Sequence, residues 1–173
     1  PKVIPDVARL VDAVHERSSL HRSYIDGDQH WRAVAEVGLR LIPDTRKADG
    51  MVVFLFSLFH DAMRENEDED PEHGARGGEL ARDLHGRLYR LSEPRPDLLV
   101  SACAGHTDTR FSDDPTLGVC FDSDRLNLWR VGKVPEAKYL STDAALEDEL
   151  HHWSRNLHGH ARDWDELLPA YQG

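Results

Sequence analysis

Apolar residues recur along most of this chain at intervals of three and four, the spacing of one helical face. Val3, Val7, Leu10, Val11 and Val14 share a first face, with Asp6 near its start. A loop containing Asp26-Gly27-Asp28 leads into a second helix, about His30 to Ile42, with Trp31, Val34, Ala35, Leu39 and Ile42 as its apolar positions. Pro43-Asp44 stops it, because proline lacks the N–H and clashes with the preceding turn. Met51 to Phe59 is nearly unbroken apolar sequence and predicts a third helix running to about Glu65. A helix that is hydrophobic all round belongs at the centre of the molecule. Pro71 fits a fourth start, continued by Leu80, Leu84 and Leu88, although Gly74, Gly77 and Gly78 weaken its first turns. Pro94 and Pro96 open a fifth helix through Leu98, Leu99, Ala102 and Cys103 to His106. After the loop Thr107 to Pro115, a sixth runs from about Thr116 to Trp129, and Ser141 or Thr142 caps a last one carrying Leu146, Leu150 and Trp153. No segment has convincing strand character. The pattern predicts an all-α bundle of about six to seven helices.

Composition narrows this picture. The 173 residues suffice for one domain with a sizeable core and are too few for two of ordinary size. With 39% hydrophobic and 31% charged residues the chain has a soluble composition. No apolar stretch reaches the roughly 20 residues of a bilayer span, and Pro1 to Asp6 has no secretory pattern. Cys103 and Cys120 sit among apolar neighbours and read as two buried thiols in a reducing cytoplasm rather than as a disulfide. A formal charge of −11 argues against non-specific nucleic-acid binding, which needs clustered Lys and Arg. The acidic excess is concentrated in Glu65 to Glu72, a solvated loop by composition. The four tryptophans read as core or interface residues.

The candidate chemistry lies where the apolar run ends, at His60-Asp61. Burying an imidazole beside a carboxylate is costly unless something satisfies both, and a metal ion does. Short connections favour antiparallel neighbours. An antiparallel second helix brings His30 level with His60, at about 1.5 Å rise per residue. His73 at the start of the fourth helix, His106 at the end of the fifth and Asp124 on the sixth approach the same end of the bundle. Imidazole with carboxylate suits divalent first-row metals, whereas an all-oxygen cage would suit calcium or magnesium.

His30, then His60-Asp61, then Asp124 in Ser123-Asp-Arg-Leu126, resembles the HD-domain superfamily of metal-dependent phosphohydrolases. His30-Trp-Arg-Ala-Val34 is similar to the family's first helix, and Asp124-Arg-Leu-Asn-Leu128 to the signature of its last ligand. The likeness covers roughly residues 20 to 132, within a single domain spanning 1–173 with a C-terminal helical extension, 141–173. It implies His30, His60, Asp61 and Asp124 as ligands of one divalent transition metal (Mn, Zn, Ni, Co or Fe), and His73 and His106 as additions that hold a second in some members. Asp122 competes for the last position, with the Asp-Arg-Leu context favouring Asp124. No Gly-Tyr-Pro motif is present, and Arg64 stands where guanosine tetraphosphate hydrolases typically have an acid.

The expected function is hydrolysis of a nucleotide or other small phosphorylated metabolite by water activated on the metal. The alternatives are a di-iron oxygenase of the same ligand type and a non-catalytic nucleotide sensor. Arg64 falls one turn after His60, where it could bind phosphate or pair with the acidic loop. Glu65 could orient the attacking water or simply be a solvated carboxylate. Arg32, Arg125 and Arg130 could bind phosphate or pair with surplus acid, and Asn127 could contact a nucleotide or cover the helix. His151, His152, His158 and His160 read as exposed histidines on a polar tail. His15 and His85 lack a supporting constellation, and His21 could border the pocket.

Overall fold

The computed structural model describes residues 1–173. It has eight α-helices: α1 (Val7–Arg17), α2 (Asp28–Leu41), α3 (Gly50–Phe59), α4 (His73–Leu84), α5 (Arg95–Gly105), α6 (Pro115–Arg125), α7 (Asp148–Ser154) and α8 (Trp164–Gln172). Short 3-10 turns join several of them and there is no β-strand. The all-helical expectation is met, with one helix more than the apolar spacing announces.

Helix α3 is the axis. Every residue from Val52 to Phe59 is buried, and the helix touches α1, α2, α4, α5, α6 and α8. Each fully buried Leu or Phe contributes about 1.5–3 kcal/mol, so the apolar run that marks α3 in the sequence is also what draws the other helices around it. Asp49 caps its start, accepting from the Val52 N–H at 3.2 Å, and also receives Arg95 of α5 at 2.6 Å. Cys103 and Cys120 are both free and buried. No helix is long and apolar enough to cross a membrane.

Several boundaries differ from the periodicity, each for a local reason. Helix α3 stops at Phe59 rather than near Glu65, because the chain tightens into i→i−3 bonding, Ala62 N–H to the Phe59 carbonyl at 3.2 Å and Arg64 N–H to Asp61 at 3.3 Å. Helix α4 starts at His73 and ends at Leu84, leaving Leu88 in the following turn. Its glycines are contact points. A Cβ on Gly74 would collide with the Cys103 carbonyl of α5, and one on Gly77 with the Phe59 carbonyl. Having no Cβ there lets α4 lie against the end of α3 and α5 together. Helix α6 ends at Arg125, since the Asn127 side chain donates to the Ser123 carbonyl at 2.8 Å and a 3-10 turn, Leu128–Val131, follows. At the C-terminus, α7 carries Leu150 and Trp153. The further helix α8 buries Trp164, Leu167 and Leu168 against α1, α2 and α3.

Candidate metal centre

The local backbone first decides which nitrogen each histidine presents. His60 lies just past the end of α3, and its Nδ1–H donates to the carbonyls of Phe56 at 3.1 Å and Ser57 at 3.0 Å. His73 opens α4 with Nδ1–H on the Asp70 carbonyl at 2.6 Å. His106 caps α5 with Nδ1–H on the Cys103 carbonyl at 2.7 Å. A carbonyl only accepts, so the proton sits on Nδ1 in all three and Nε2 is left with a lone pair. His30, in the first turn of α2, has no protein partner on Nδ1.

The Nε2 atoms of the four rings converge in two groups that share Asp61. In the first, His30 Nε2 and His60 Nε2 are 3.2 Å apart. His30 Nε2 lies 3.2 Å from Asp61 Oδ2 and 3.1 Å from Asp124 Oδ1, and His60 Nε2 lies 3.5 Å from each of these oxygens. In the second, His73 Nε2 and His106 Nε2 are 3.1 Å apart, and each is within 3.2 Å of Asp61 Oδ1. The carboxylate of Asp61 therefore points one oxygen at each histidine pair. All four imidazoles and Asp61 are at most 4% exposed.

At His73 and His106 two lone pairs face one another at 3.1 Å, an arrangement that repels unless a cation lies between them. Two imidazole nitrogens at about 2.1 Å from one ion stand roughly 3.0–3.4 Å apart, which matches the spacings of both pairs. The donor set, four imidazoles of which three are oriented through Nδ1, with carboxylates between them, fits divalent first-row ions. Complete burial works to raise the Asp61 carboxyl. Where no cation lies between the groups, protonated rings take its place: the charge of His60, with hydrogen bonds from His106, His30 and His73, outweighs burial and holds the group well below the usual carboxylate range. Burial is likewise overcome at Asp124 by His30 and His60. Asp122 is engaged elsewhere, accepting from the Ser141 and Thr142 N–H groups and the Thr142 hydroxyl, each at 2.8 Å. Of the two competing carboxylates, only Asp124 reaches the histidines.

The acidic loop after α3 is anchored as well as solvated. Arg76 grips both carboxylate oxygens of Asp70 at 2.6 Å and the Met63 carbonyl at 3.1 Å, and this clamp sets the Asp70 carbonyl that orients His73.

Above the two groups opens a cavity of about 490 Å³, with Asp61, His73, His106 and Asp124 at its floor. Arg64, Arg110, Arg125, Arg130 and Lys133 bring positive charge to its walls, offsetting Asp26, Glu67 and Asp108 there and the two carboxylates of the floor. The other residues singled out in the sequence distribute unevenly. Arg64 Nε lies 3.9 Å from Asp61 Oδ1 and is buried with no hydrogen-bond partner. Its Nη1 meanwhile braces the acidic loop through the Asn66 and Asp68 carbonyls, so both readings of Arg64 have a structural basis.

Arg32 is not brought to the cluster. Its guanidinium binds Asp28 at 2.8 Å and the Ala161 carbonyl at 3.2 Å, because α2 turns that face toward the C-terminal segment. Glu65 is exposed and paired with Arg76 at 3.3 Å, since α3 has ended before it. Arg125 spends its donors on the carbonyls of Arg110, Tyr139, His106 and Thr109, tying the loop after His106 in place. Asn127, 2% exposed, caps α6. Sequence reasoning missed Arg110, Lys133 and, in the cavity wall beside Arg64, Asp26. The signal for Asp26 was an acid just ahead of the helix that carries His30. Trp31 and Trp164 are core residues, as expected. The chain matches no protein-family model, no curated protein and no solved structure.

Proposed function

We propose that the protein is a metal-dependent phosphohydrolase acting on a nucleotide or another small phosphorylated metabolite. The observation that carries this reading is the division of Asp61 between two imidazole pairs at the floor of a cation-walled cavity. Bound divalent ions would supply a water of lowered pKa and offset charge on phosphoryl oxygens. The chain's own groups do the rest. The Nδ1 bonds of His60, His73 and His106 fix each ring, so Nε2 needs no reorientation to bind. Arg64 Nε–H offers an unused, charge-assisted donor beside the floor, the kind of group that orients a phosphate oxygen. The likeness of His30, His60-Asp61 and Asp124 to the HD pattern supports the same conclusion.

The test is a screen of metal-reconstituted protein over nucleoside mono-, di- and triphosphates, cyclic nucleotides and sugar phosphates. The expected result is phosphate release that His60→Ala abolishes; release that persists in His60→Ala, or none at all, overturns the reading. One observation favours a second reading: a complete second ligand group, Asp61, His73 and His106, is also what a di-iron oxygenase requires. That reading demands redox-active iron in the protein as isolated and consumption of oxygen. The unspent Arg64 Nε–H beside the floor favours the phosphohydrolase.

A further inference from the structure

Asp26 is not a candidate metal ligand, yet it is a carboxylate only 3% exposed at the edge of the cavity. Its mounting is rigid. Trp31 Nε1–H donates to the Asp26 carbonyl at 2.8 Å, and the Asp26 N–H donates to Ser23 Oγ at 3.1 Å. The next residue, Gly27, passes so close to the His21 and Ser23 carbonyls that a Cβ there would lie 2.5 Å from each.

Two arginines from separate segments meet this carboxylate unequally. Arg130 Nη2 binds Oδ1 at 3.2 Å, and the rest of its guanidinium is committed to the Ile25 and Asn127 carbonyls. Arg64 Nε faces Oδ2 at 3.7 Å, within ion-pair range and beyond a hydrogen bond. Arg130 thus supplies the bond that Asp26 needs. Asp26 holds Arg64 by charge alone, while Arg64 Nη1 bonds the Asn66 and Asp68 carbonyls and its Nε–H stays unspent. Leaving a buried charged donor unpaired is costly, and an anion oxygen in the cavity would complete it.

We propose that Asp26 is a positioning residue that keeps Arg64 Nε–H aimed into the cavity to donate to a phosphoryl oxygen, an inference that rests on the phosphohydrolase reading above. The competing role is purely structural, with the Asp26–Arg130 pair only tying the loop to the 3-10 turn. A double-mutant cycle separates the two, because a residue that acts through Arg64 has no effect once Arg64 is gone.

The experiment measures inorganic phosphate binding to the metal-loaded 173-residue chain by titration calorimetry, with metal content determined for each variant. Asp26→Asn preserves the side-chain shape and an oxygen acceptor for Arg130. It is expected to weaken phosphate binding about tenfold with Arg64 present and less than about twofold in the Arg64→Ala background, at unchanged metal content. Equal weakening in both backgrounds, or none in either, overturns the role of Asp26 while leaving the phosphohydrolase reading intact, because the parent protein still binds phosphate. Failure of the metal-loaded parent to bind phosphate counts against that reading itself, and the inference falls with it. Should Asp26→Asn not fold, Asp26→Glu, which keeps the charge and displaces the carboxylate, is taken through the same cycle with the same expectations.

Discussion

His30, His60, His73 and His106 are the same residue type as the C-terminal set, His151, His152, His158 and His160, and the two groups meet opposite fates. At the centre, the backbone claims Nδ1 of three rings and leaves Nε2 free. In the tail, Nε2 itself is spent, by His151 on the Ala145 carbonyl at 2.6 Å and by His158 on the Tyr24 carbonyl at 2.7 Å. His152 and His160 are exposed. Which ring nitrogen the local chain consumes therefore comes before any question of metal affinity. It does not suffice, however. His21 also places Nδ1 on the carbonyl three residues back, at 3.0 Å, but its neighbour is the stacked ring of His15 at 4.7 Å rather than a shared carboxylate. Ligand groups arise where free Nε2 atoms from different helices meet an acid.

The sharpest way to break this comparison is to remove the shared acid. Asp61→Ala is expected to lose both metal equivalents and all phosphate release, measured by elemental analysis and the substrate screen. Full metal occupancy in this variant would mean that Asp61 does not join the two groups. Next in size is His106→Ala, which should lose one equivalent and keep the other, because only the group with His73 is damaged. Arg64→Ala should retain both metals and raise the KM for a phosphorylated substrate by roughly 10- to 100-fold, the equivalent of one charge-assisted hydrogen bond of about 1.5–3 kcal/mol.

A smaller effect is expected at the far end of α3, where a carboxylate is paired with arginine instead of histidine. Burial works to raise the Asp49 carboxyl, but Arg95 and the Val52 N–H outweigh it and the pKa is lowered. A depressed folded pKa means stabilisation that is present above the unfolded value and lost as pH falls through the folded one. Asp49→Asn should thus melt lower than the parent at pH 7, by roughly 2–4 °C at most for a pair worth about 1 kcal/mol or less. The gap should close as the pH is lowered below about 4, with metal content unaffected. The smallest effect belongs to the tail. His158→Ala with His160→Ala should leave metal content unchanged and shift melting by no more than about 2 °C; any loss of metal would tie the tail to the centre.

Much of the fold was legible because its central helix is extreme. Met51 to Phe59 admits no exposed face, and the other helices show the apolar stripe that packs on it. The C-terminal α8 was not legible, since Pro169 lies inside it and His158-Gly-His160, rich in polar neighbours, precedes it. At the centre, every ligand candidate was named from position at helix ends. The arginine candidates were read less well, because an arginine carries no periodic signal of its direction. Arg32 and Arg125 turn to carbonyls, and Asp26, hidden in a loop, had only its place before α2 to mark it.

By itself the sequence determined the helical class, the buried axis and the histidines and aspartates that stand at helix ends, because periodicity and termination are local properties of the chain. Only the tertiary structure decided that Asp124 rather than Asp122 meets the histidines, that Asp61 divides its oxygens between two pairs, and that Arg64 keeps an unspent donor beside them. Each of these depends on ångström-scale distances between segments far apart in the chain, fixed by how α4 packs through its glycines onto α3 and α5 and by which carbonyls claim each donor first.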